Sequence, residues 1–144
     1  MNDLLLIVTL AGERVACLAG HVESVVEIES VTPAPGTARH VAGLSALRSR
    51  VLTVIDCIAA LDLGCALTDG VREAIVVELD GHPYALLVDE VEDVIAFSGV
   101  IQPLRAAPSA GWARVARGMV EADGRLLLLV DPAALVEGRL ADAA

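Results

Sequence analysis

Side chains that commonly carry out chemistry are present in this chain, but their spacing forms no reactive group. The three histidines, His21, His40 and His82, lack the HxH or HxxxH spacing that offers a metal ion two ligands from one element. No pattern joins a nucleophile to a base and an orienting group, and no glycine-rich phosphate-binding motif occurs. The sequence therefore predicts a protein that is not an enzyme and holds neither a metal nor a cofactor.

The cysteines support the same conclusion. Cys17, Cys57 and Cys65 are odd in number and lack CxxC spacing, which favours a reducing compartment such as the cytosol. Cys17 and Cys57 each lie inside an apolar run, where a thiol acts as a small buried hydrophobe rather than as a nucleophile.

One acidic cluster resembles a cation site by composition; it consists of Asp89, Glu90, Glu92 and Asp93. It lacks the glycine-bearing loop of a calcium-binding hand, and along a strand its side chains point in different directions. We expect it to be a solvated face.

Charge and hydropathy limit the classes of partner that this protein can bind. Ten basic residues, all arginine, stand against twenty acidic ones, a formal net charge of −10. Nucleic acid is thus an unsuitable ligand, since phosphate binding requires a basic face. Charges interrupt every apolar run before the length needed to span a bilayer, which predicts a soluble protein. Any partner must be recognised through a local patch, and Arg48 and Arg50 are the densest basic pair.

Short runs rich in Val, Ile and Leu, interrupted by Gly, Asp or Pro about every ten residues, are typical of an all-β domain. Two hairpins are predicted, in which strands 4–10 and 15–18 flank Ala11-Gly12-Glu13, and strands 75–79 and 84–88 flank Asp80-Gly81-His82-Pro83. Pro83 has no backbone donor, so we expect it at the start of its strand or on an edge.

Two continuous apolar runs predict strands buried on both faces, each followed by a short helix. They are 51–56 followed by helix 58–61, and 126–131 followed by helix 132–136. Asp56 and Asp131 precede the helices and are placed to cap them, and Pro132 suits a first helical position.

The chain also resembles itself, which indicates an internal duplication. At an offset of 69 residues, identical pairs include Leu10/Leu79, Gly12/Gly81, Ala16/Ala85, Leu18/Leu87, Val22/Val91, Glu23/Glu92 and Val25/Val94. At an offset of 75 they include Gly43/Gly118, Arg50/Arg125, Leu52/Leu127, Asp56/Asp131 and Ala59/Ala134. A six-residue insertion between Phe97 and Arg114 accounts for the change, in a loop marked by Pro103, Pro108, Ser109 and Gly111.

Several blocks in order resemble the chemotaxis coupling protein (CheW-like) family over nearly the whole chain. They are Val25-Val26-Glu27-Ile28, Gly43-Leu44-Ser45-Ala46-Leu47-Arg48-Ser49, Val51-Leu52-Thr53-Val54-Ile55-Asp56, Val88-Asp89-Glu90-Val91-Glu92-Asp93-Val94, and Gly118 followed by Leu126-Leu127-Leu128-Leu129-Val130-Asp131. No single block is specific, but their order and spacing together are.

The resemblance implies a mainly β fold: one domain, 1–144, with two SH3-like five-stranded β-barrels and short helices, the repeats covering roughly 4–64 and 73–138. It implies a non-enzymatic cytoplasmic scaffold, recruited to receptor arrays at the membrane. Family members bind the cytoplasmic tip of a chemoreceptor in an apolar groove between the barrels and dock the regulatory domain of a histidine kinase through the barrel ends.

Carried over by position, the resemblance implies partner-binding roles for Val25, Glu27, Ile28, Gly43, Arg48 and Val91. From their opposite charges we also expect Glu27 and Arg48 to form an ion pair that keeps the binding face in register. The chain departs from the family pattern at Ser49, Thr53 and Ile58, so we expect its partner surface to differ in detail from that of the family.

Two alternatives stay open. The first is a divergent adaptor of the same family that serves another chemosensory or motility pathway. The second is a small-ligand-binding β protein that uses the groove between its halves, with Arg48 on the rim.

Overall fold

The computed structural model describes residues 3–65 and 70–138 and has ten strands and three short helices. The predicted mainly β fold is confirmed. The strands are β1 (Asp3–Leu10), β2 (Glu13–Leu18), β3 (Ser24–Ile28), β4 (Val41–Leu47), β5 (Arg50–Asp56), β6 (Arg72–Leu79), β7 (His82–Leu87), β8 (Glu90–Phe97), β9 (Ala116–Ala122) and β10 (Arg125–Val130); the helices are α1 (Cys57–Ala60), α2 (Ala110–Val115) and α3 (Pro132–Glu137).

The strands form two five-stranded sheets with matching topology. Sheet A has the order β8-β1-β2-β10-β9 and sheet B the order β3-β6-β7-β5-β4. Replacing each strand by its equivalent in the other repeat converts one order into the other. The third strand of each repeat, however, pairs with the first strand of the other: β3 with β6, and β8 with β1. Each sheet is therefore assembled from both repeats.

Three apolar clusters fill the fold. One belongs to sheet A and includes Leu5 and Ile7, and one belongs to sheet B and includes Val54 and Val76. The third lies between the sheets and takes residues from both sheets and all three helices. In the later part of β5 and β10, side chains alternate between their own sheet's cluster and the central one, so these parts are buried on both faces as predicted. Val51 and Leu126, at the start of each predicted run, are instead 61% and 45% exposed.

Asp56 and Asp131 cap α1 and α3 as predicted. Asp56 Oδ1 accepts a hydrogen bond from Ala59 N–H at 3.1 Å, and Asp131 Oδ1 accepts from Ala133 N–H at 3.0 Å. Helix α2 lies in the segment expected to be a loop. Its cap is Ser109, whose Oγ accepts from Trp112 N–H, so Gly111 is a helical residue.

Four hairpins have two-residue turns: Ala11-Gly12, Arg48-Ser49, Asp80-Gly81 and Asp123-Gly124. All eight turn residues have positive φ, which is the type I′ arrangement that suits the twist of the flanking strands. In three of these turns the second residue is glycine, whereas in the β4–β5 turn it is Ser49, at φ 68°. Pro83 is the second residue of β7, ahead of the residues 84–87 that pair with β5.

We expect Ser49→Gly to stabilise the protein by about 0.5–1 kcal/mol, because glycine adopts positive φ without steric cost. Urea unfolding followed by circular dichroism measures the change. Ser30→Gly is the matched control, since Ser30 is exposed and is absent from the positive-φ positions; there the substitution should be neutral or destabilising. A loss of stability in Ser49→Gly would contradict a strained turn.

None of the helices within residues 3–65 and 70–138 has the length and hydropathy needed to cross a membrane.

Candidate functional site

The two central cysteines are not activated nucleophiles. Cys17 and Cys57 are buried in the cluster between the sheets. Burial raises the pKa of the Cys17 thiol to about 12, with a smaller contribution from Asp131. Burial also raises the pKa of Cys57, helped by the nearby Asp56 carboxylate. Both thiols are therefore protonated at neutral pH, whereas Cys65 is exposed.

The histidines lie in unrelated places. His40 is buried, and its Nε2 is 2.6 Å from the carbonyl oxygen of Val136, near the end of α3. His82 begins β7, and His21 ends the single 3₁₀ turn that precedes β3. In the part of the chain that the structure describes, no group of three or more His, Cys, Asp or Glu side chains is arranged to hold a metal ion.

The acidic cluster at 89–93 is exposed, as predicted, but two of its members have structural partners. Asp89 Oδ2 accepts a hydrogen bond from Gly12 N–H at 3.0 Å, which ties the start of β8 to the β1–β2 turn. Glu92 Oε2 accepts from Thr9 Oγ1 at 2.9 Å and pairs with Arg14 at 3.2 Å. These carboxylates hold β8 against the first hairpin.

Edge strand β3 carries two of the predicted partner-binding residues on its exposed face. Val25 is 46% exposed and Glu27 is also exposed, because strand alternation turns both away from the sheet B cluster. Ile28, next in sequence, points inward and is 1% exposed. Its side chain packs in the apolar cluster of sheet B.

Gly43 is buried, and close packing of the Thr32 backbone explains why this residue is glycine. A side chain there would place its Cβ 2.2 Å from the backbone oxygen of Thr32, and φ is +150°. Thr32 crosses at this point and forms two backbone hydrogen bonds with Leu44, at 2.8 and 2.9 Å. Gly118 has the same arrangement in the second repeat, against the backbone oxygen of Gln102 at 2.4 Å.

Arg48 lies at the tip of the β4–β5 hairpin, and the expected Glu27–Arg48 ion pair is wrong. Arg48 lines a depression of about 240 Å³ together with Val26. Since Val26 and Glu27 are adjacent on β3, they face opposite sides of the sheet, so Glu27 points away from Arg48. Here the ion pair joins Arg50 Nη1 to Glu23 Oε1 instead, and this contact raises the pKa of Arg50.

Val91 is half-buried near the start of β8 and packs against the central cluster. Its N–H donates a hydrogen bond of 2.8 Å to Glu73 Oε2 of β6, so it lies where the two sheets meet. Glu73 faces Glu27 across the β3–β6 ladder. Val91 and Glu27 therefore both lie next to Glu73, where the two sheets meet. Arg48 lies apart from them, at the tip of the β4–β5 hairpin.

A cleft between the two sheets, about 490 Å³ in volume, opens beside the segment 20–23 that precedes β3. We call it the inter-sheet cleft. It is lined by Gly20, His21, Val22, Glu23, Val77, Glu78, Leu79, Asp131, Pro132 and Ala133. Arg48 is not among them, so the groove between the halves does not have the Arg48 rim expected for a small-ligand site.

Exposed apolar residues recur at equivalent positions in the two repeats. Val94 on β8 is 51% exposed and matches Val25, while Leu126 on β10 matches Val51 on β5. Sequence reasoning did not identify Val94, Val51 and Leu126 as surface residues. The self-similarity of the sequence could have predicted that these residues share an environment, because equivalent residues of the two repeats occupy equivalent sheet positions.

Comparison with known proteins agrees with this architecture. The family model of the CheW-like domain matches residues 4–139. A probable chemotaxis protein CheW from Rhizobium etli is 31% identical, covering 99% of this chain and 94% of that protein. The chemotaxis protein CheW of Rhizobium meliloti is 32% identical, covering 88% of this chain and 83% of that protein.

A solved structure shares the fold. The scaffolding protein TtCheW from Thermoanaerobacter tengcongensis superposes with a TM-score of 0.76 at 24% identity, covering 91% of this chain and 90% of that one. The family model spans both repeats, and the two named relatives align along most of the chain. The chain therefore belongs to the CheW-like domain family.

Proposed function

We propose that this chain is a non-enzymatic adaptor of chemotaxis signalling that couples a chemoreceptor to the chemotaxis histidine kinase. Membership of the CheW-like domain family over residues 4–139 supports an adaptor role. Two relatives that cover most of the chain carry the name chemotaxis protein CheW. On this proposal the protein acts in the cytoplasm and is recruited to receptor arrays at the membrane.

The observation that carries the proposal is the exposed apolar face of β3 beside the inter-sheet cleft. Val25 projects from an edge strand, and Glu23, which directly precedes that strand, lines the cleft. Exposed apolar side chains next to a concave surface are suited to pack against a protein partner. We assign this face, with Glu27 and the half-buried Val91 at its border, to the helical tip of the receptor.

The tip of the β4–β5 hairpin is a second surface. It presents Arg48 beside the exposed Val51, with Arg50 next to them in its ion pair with Glu23, on a protein whose net charge is −10. A local basic and apolar patch suits a partner surface with acidic and apolar residues. We assign this tip to the regulatory domain of the kinase. Ile28 and Gly43 support these surfaces from inside sheet B.

Titration of the purified chain with a receptor cytoplasmic fragment and with the kinase regulatory domain tests the proposal. We expect saturable binding to both. Val25→Asp should weaken receptor binding by roughly tenfold or more, because a buried apolar anchor becomes a desolvated charge. Arg48→Glu should weaken kinase binding and leave receptor binding unchanged.

Val100→Asp is the matched control, because Val100 is 62% exposed and lies outside both surfaces. It should bind both fragments as the wild type does. If the wild type binds neither fragment, the adaptor proposal is wrong. Equal losses in Val25→Asp and Val100→Asp would show that β3 is not the receptor surface.

A further inference from the structure

Each repeat leaves backbone and apolar surface that the other repeat covers. Edge strand β3 of the first repeat pairs along its whole length with β6 of the second, and β8 of the second pairs with β1 of the first. The apolar cluster between the sheets also takes side chains from both repeats. The fold therefore needs one first repeat and one second repeat, but these contacts do not require that both belong to the same chain.

An ion-pair network holds the two repeats together just after helix α1. Asp62 pairs with Arg39 of the first repeat at 3.1 Å and with Arg114 of the second repeat at 3.2 Å. Residues 63–71 then lead from this point to β6, and we call them the connection. The connection alone determines which second repeat a given first repeat meets.

The connection is exposed wherever the structure describes it; those residues are Leu63, Gly64, Cys65, Gly70 and Val71. Gly64 and Gly70 have φ of 118° and 77°, and glycine can change its backbone path at little steric cost. Leu63 and Val71 are large apolar residues that are 45% and 56% exposed. Their burial against another apolar surface would be favourable.

We propose that two copies of this chain exchange repeats and form a dimer. The second repeat of each copy completes both sheets of the other copy's first repeat, and the two connections run side by side with Leu63 and Val71 in contact. Every contact between a first and a second repeat is retained, because exchange changes only which chain supplies the second repeat.

Concentration decides between the monomer and the exchanged dimer. Within one chain, the connection holds the two repeats at an effective concentration of about the millimolar order, so the monomer dominates in dilute solution. Exchange therefore requires a local concentration of roughly this size, or neighbouring copies that fold together. Burial of the apolar residues of the connection shifts the equilibrium toward the dimer.

The exchanged dimer has two complete partner faces, and each face takes residues from both copies. Val25 and Glu27 come from one copy, whereas Glu73 and Val91 come from the other. Such a dimer is bivalent and links two chemoreceptors, and only this consequence rests on the proposed function. The exchange itself rests on the pairing of strands between repeats.

A pair of cysteines across the β3–β6 ladder reports which chain supplies each strand. Glu27 faces Glu73 on this ladder, and Glu73 accepts a backbone hydrogen bond from Val88 on its other side. Glu27 and Glu73 are therefore a non-hydrogen-bonded pair, in which side chains are closest and a disulfide fits. We expect a Cys65→Ser chain with both Glu27→Cys and Glu73→Cys to form this disulfide within its monomer.

The exchange is tested with the two substitutions on different chains, both in the Cys65→Ser background. Equal amounts are unfolded together, refolded under reducing conditions at roughly millimolar concentration, and then oxidised by dissolved oxygen. We expect a disulfide between chains in about half of the dimer, the statistical limit when two chains exchange at random. Amide NMR shifts of the dimer should match those of the monomer except near residues 62–71.

Ala46 and Val51 are the matched control, because they are exposed and face each other within the first repeat. Their pair is also non-hydrogen-bonded, since the backbone of Leu44, two residues before Ala46, bonds to Thr32 on the other side. With Ala46→Cys on one chain and Val51→Cys on the other, no disulfide between chains should form, because exchange leaves each first repeat intact.

The exchange is wrong if refolding at this concentration yields no dimer. It is also wrong if the two cysteine pairs cross-link chains equally, or if the amide shifts of the dimer differ from those of the monomer away from the connection, since both results indicate association of closed monomers. A dimer that cross-links as expected but binds neither the receptor fragment nor the kinase domain contradicts only the proposed function. Partner binding by a chain that never exchanges contradicts only this inference.

Discussion

Gly43→Ala should lower the free energy of unfolding by about 3 kcal/mol or more. The added Cβ would lie 2.2 Å from the backbone oxygen of Thr32, far inside van der Waals contact, and the residue keeps a φ of +150° that alanine rarely adopts. Relief requires the Thr32 segment to separate from β4 and to lose its two hydrogen bonds with Leu44. Chemical unfolding followed by the fluorescence of Trp112, which is 1% exposed, measures the loss.

Gly12→Ala separates the steric clash from the backbone preference. Gly12 also has positive φ, +80°, but a Cβ there meets nothing within 4 Å, so the expected cost is only about 1 kcal/mol. Equal effects of the two substitutions would show that the approach of Thr32 does not constrain Gly43. The result also bears on function, since a Gly43 variant that fails to bind partners should first be examined for unfolding.

Trp112→Ala should cost about 3–5 kcal/mol, because it leaves a large cavity in the cluster between the sheets. Trp112 comes from helix α2, in the segment of the second repeat that contains the six-residue insertion, and it packs with residues of both sheets. Far-ultraviolet circular dichroism during urea unfolding reports the loss without depending on tryptophan fluorescence.

Trp112→Phe is the control, because it keeps most of the apolar volume and should cost clearly less than the alanine variant. A Trp112→Ala variant with nearly wild-type stability would mean that the inserted helix adds little to the joining of the two sheets. Neighbouring contacts suggest the opposite, since Arg114 Nη2 donates to Ala60 O at 3.0 Å and to Asp62 Oδ2 at 3.2 Å, and so ties α2 to the end of α1.

Local features of the fold followed from local sequence. The predicted hairpins at Gly12 and Gly81 and the helix caps at Asp56 and Asp131 depend on residues a few positions apart, so their chemistry is readable along the chain. Helix α2 was not predicted, because Pro103, Pro108 and Gly111 are typical of a loop, although Ser109 is a normal helix cap.

The candidate surfaces depended more on context. Alternation along β3 separates Val25 and Glu27, which are exposed, from Ile28, which is buried, but only once the strand's register is known. The expected Glu27–Arg48 pair assumed proximity from charge alone, and the two residues lie on opposite faces of sheet B. The inter-sheet cleft, which combines residues near positions 21, 78 and 132, has no local signal.

The sequence by itself determined that the chain is mainly β, self-similar, acidic and free of a recognisable catalytic motif, because composition, turn residues and self-similarity are properties of the chain as written. Only the tertiary structure decided that β3 and β8 pair with the first strands of the opposite repeats, and hence which valines and carboxylates meet at the cleft. That choice comes from burial of one shared cluster between the sheets, a long-range packing effect that no run of neighbouring residues encodes.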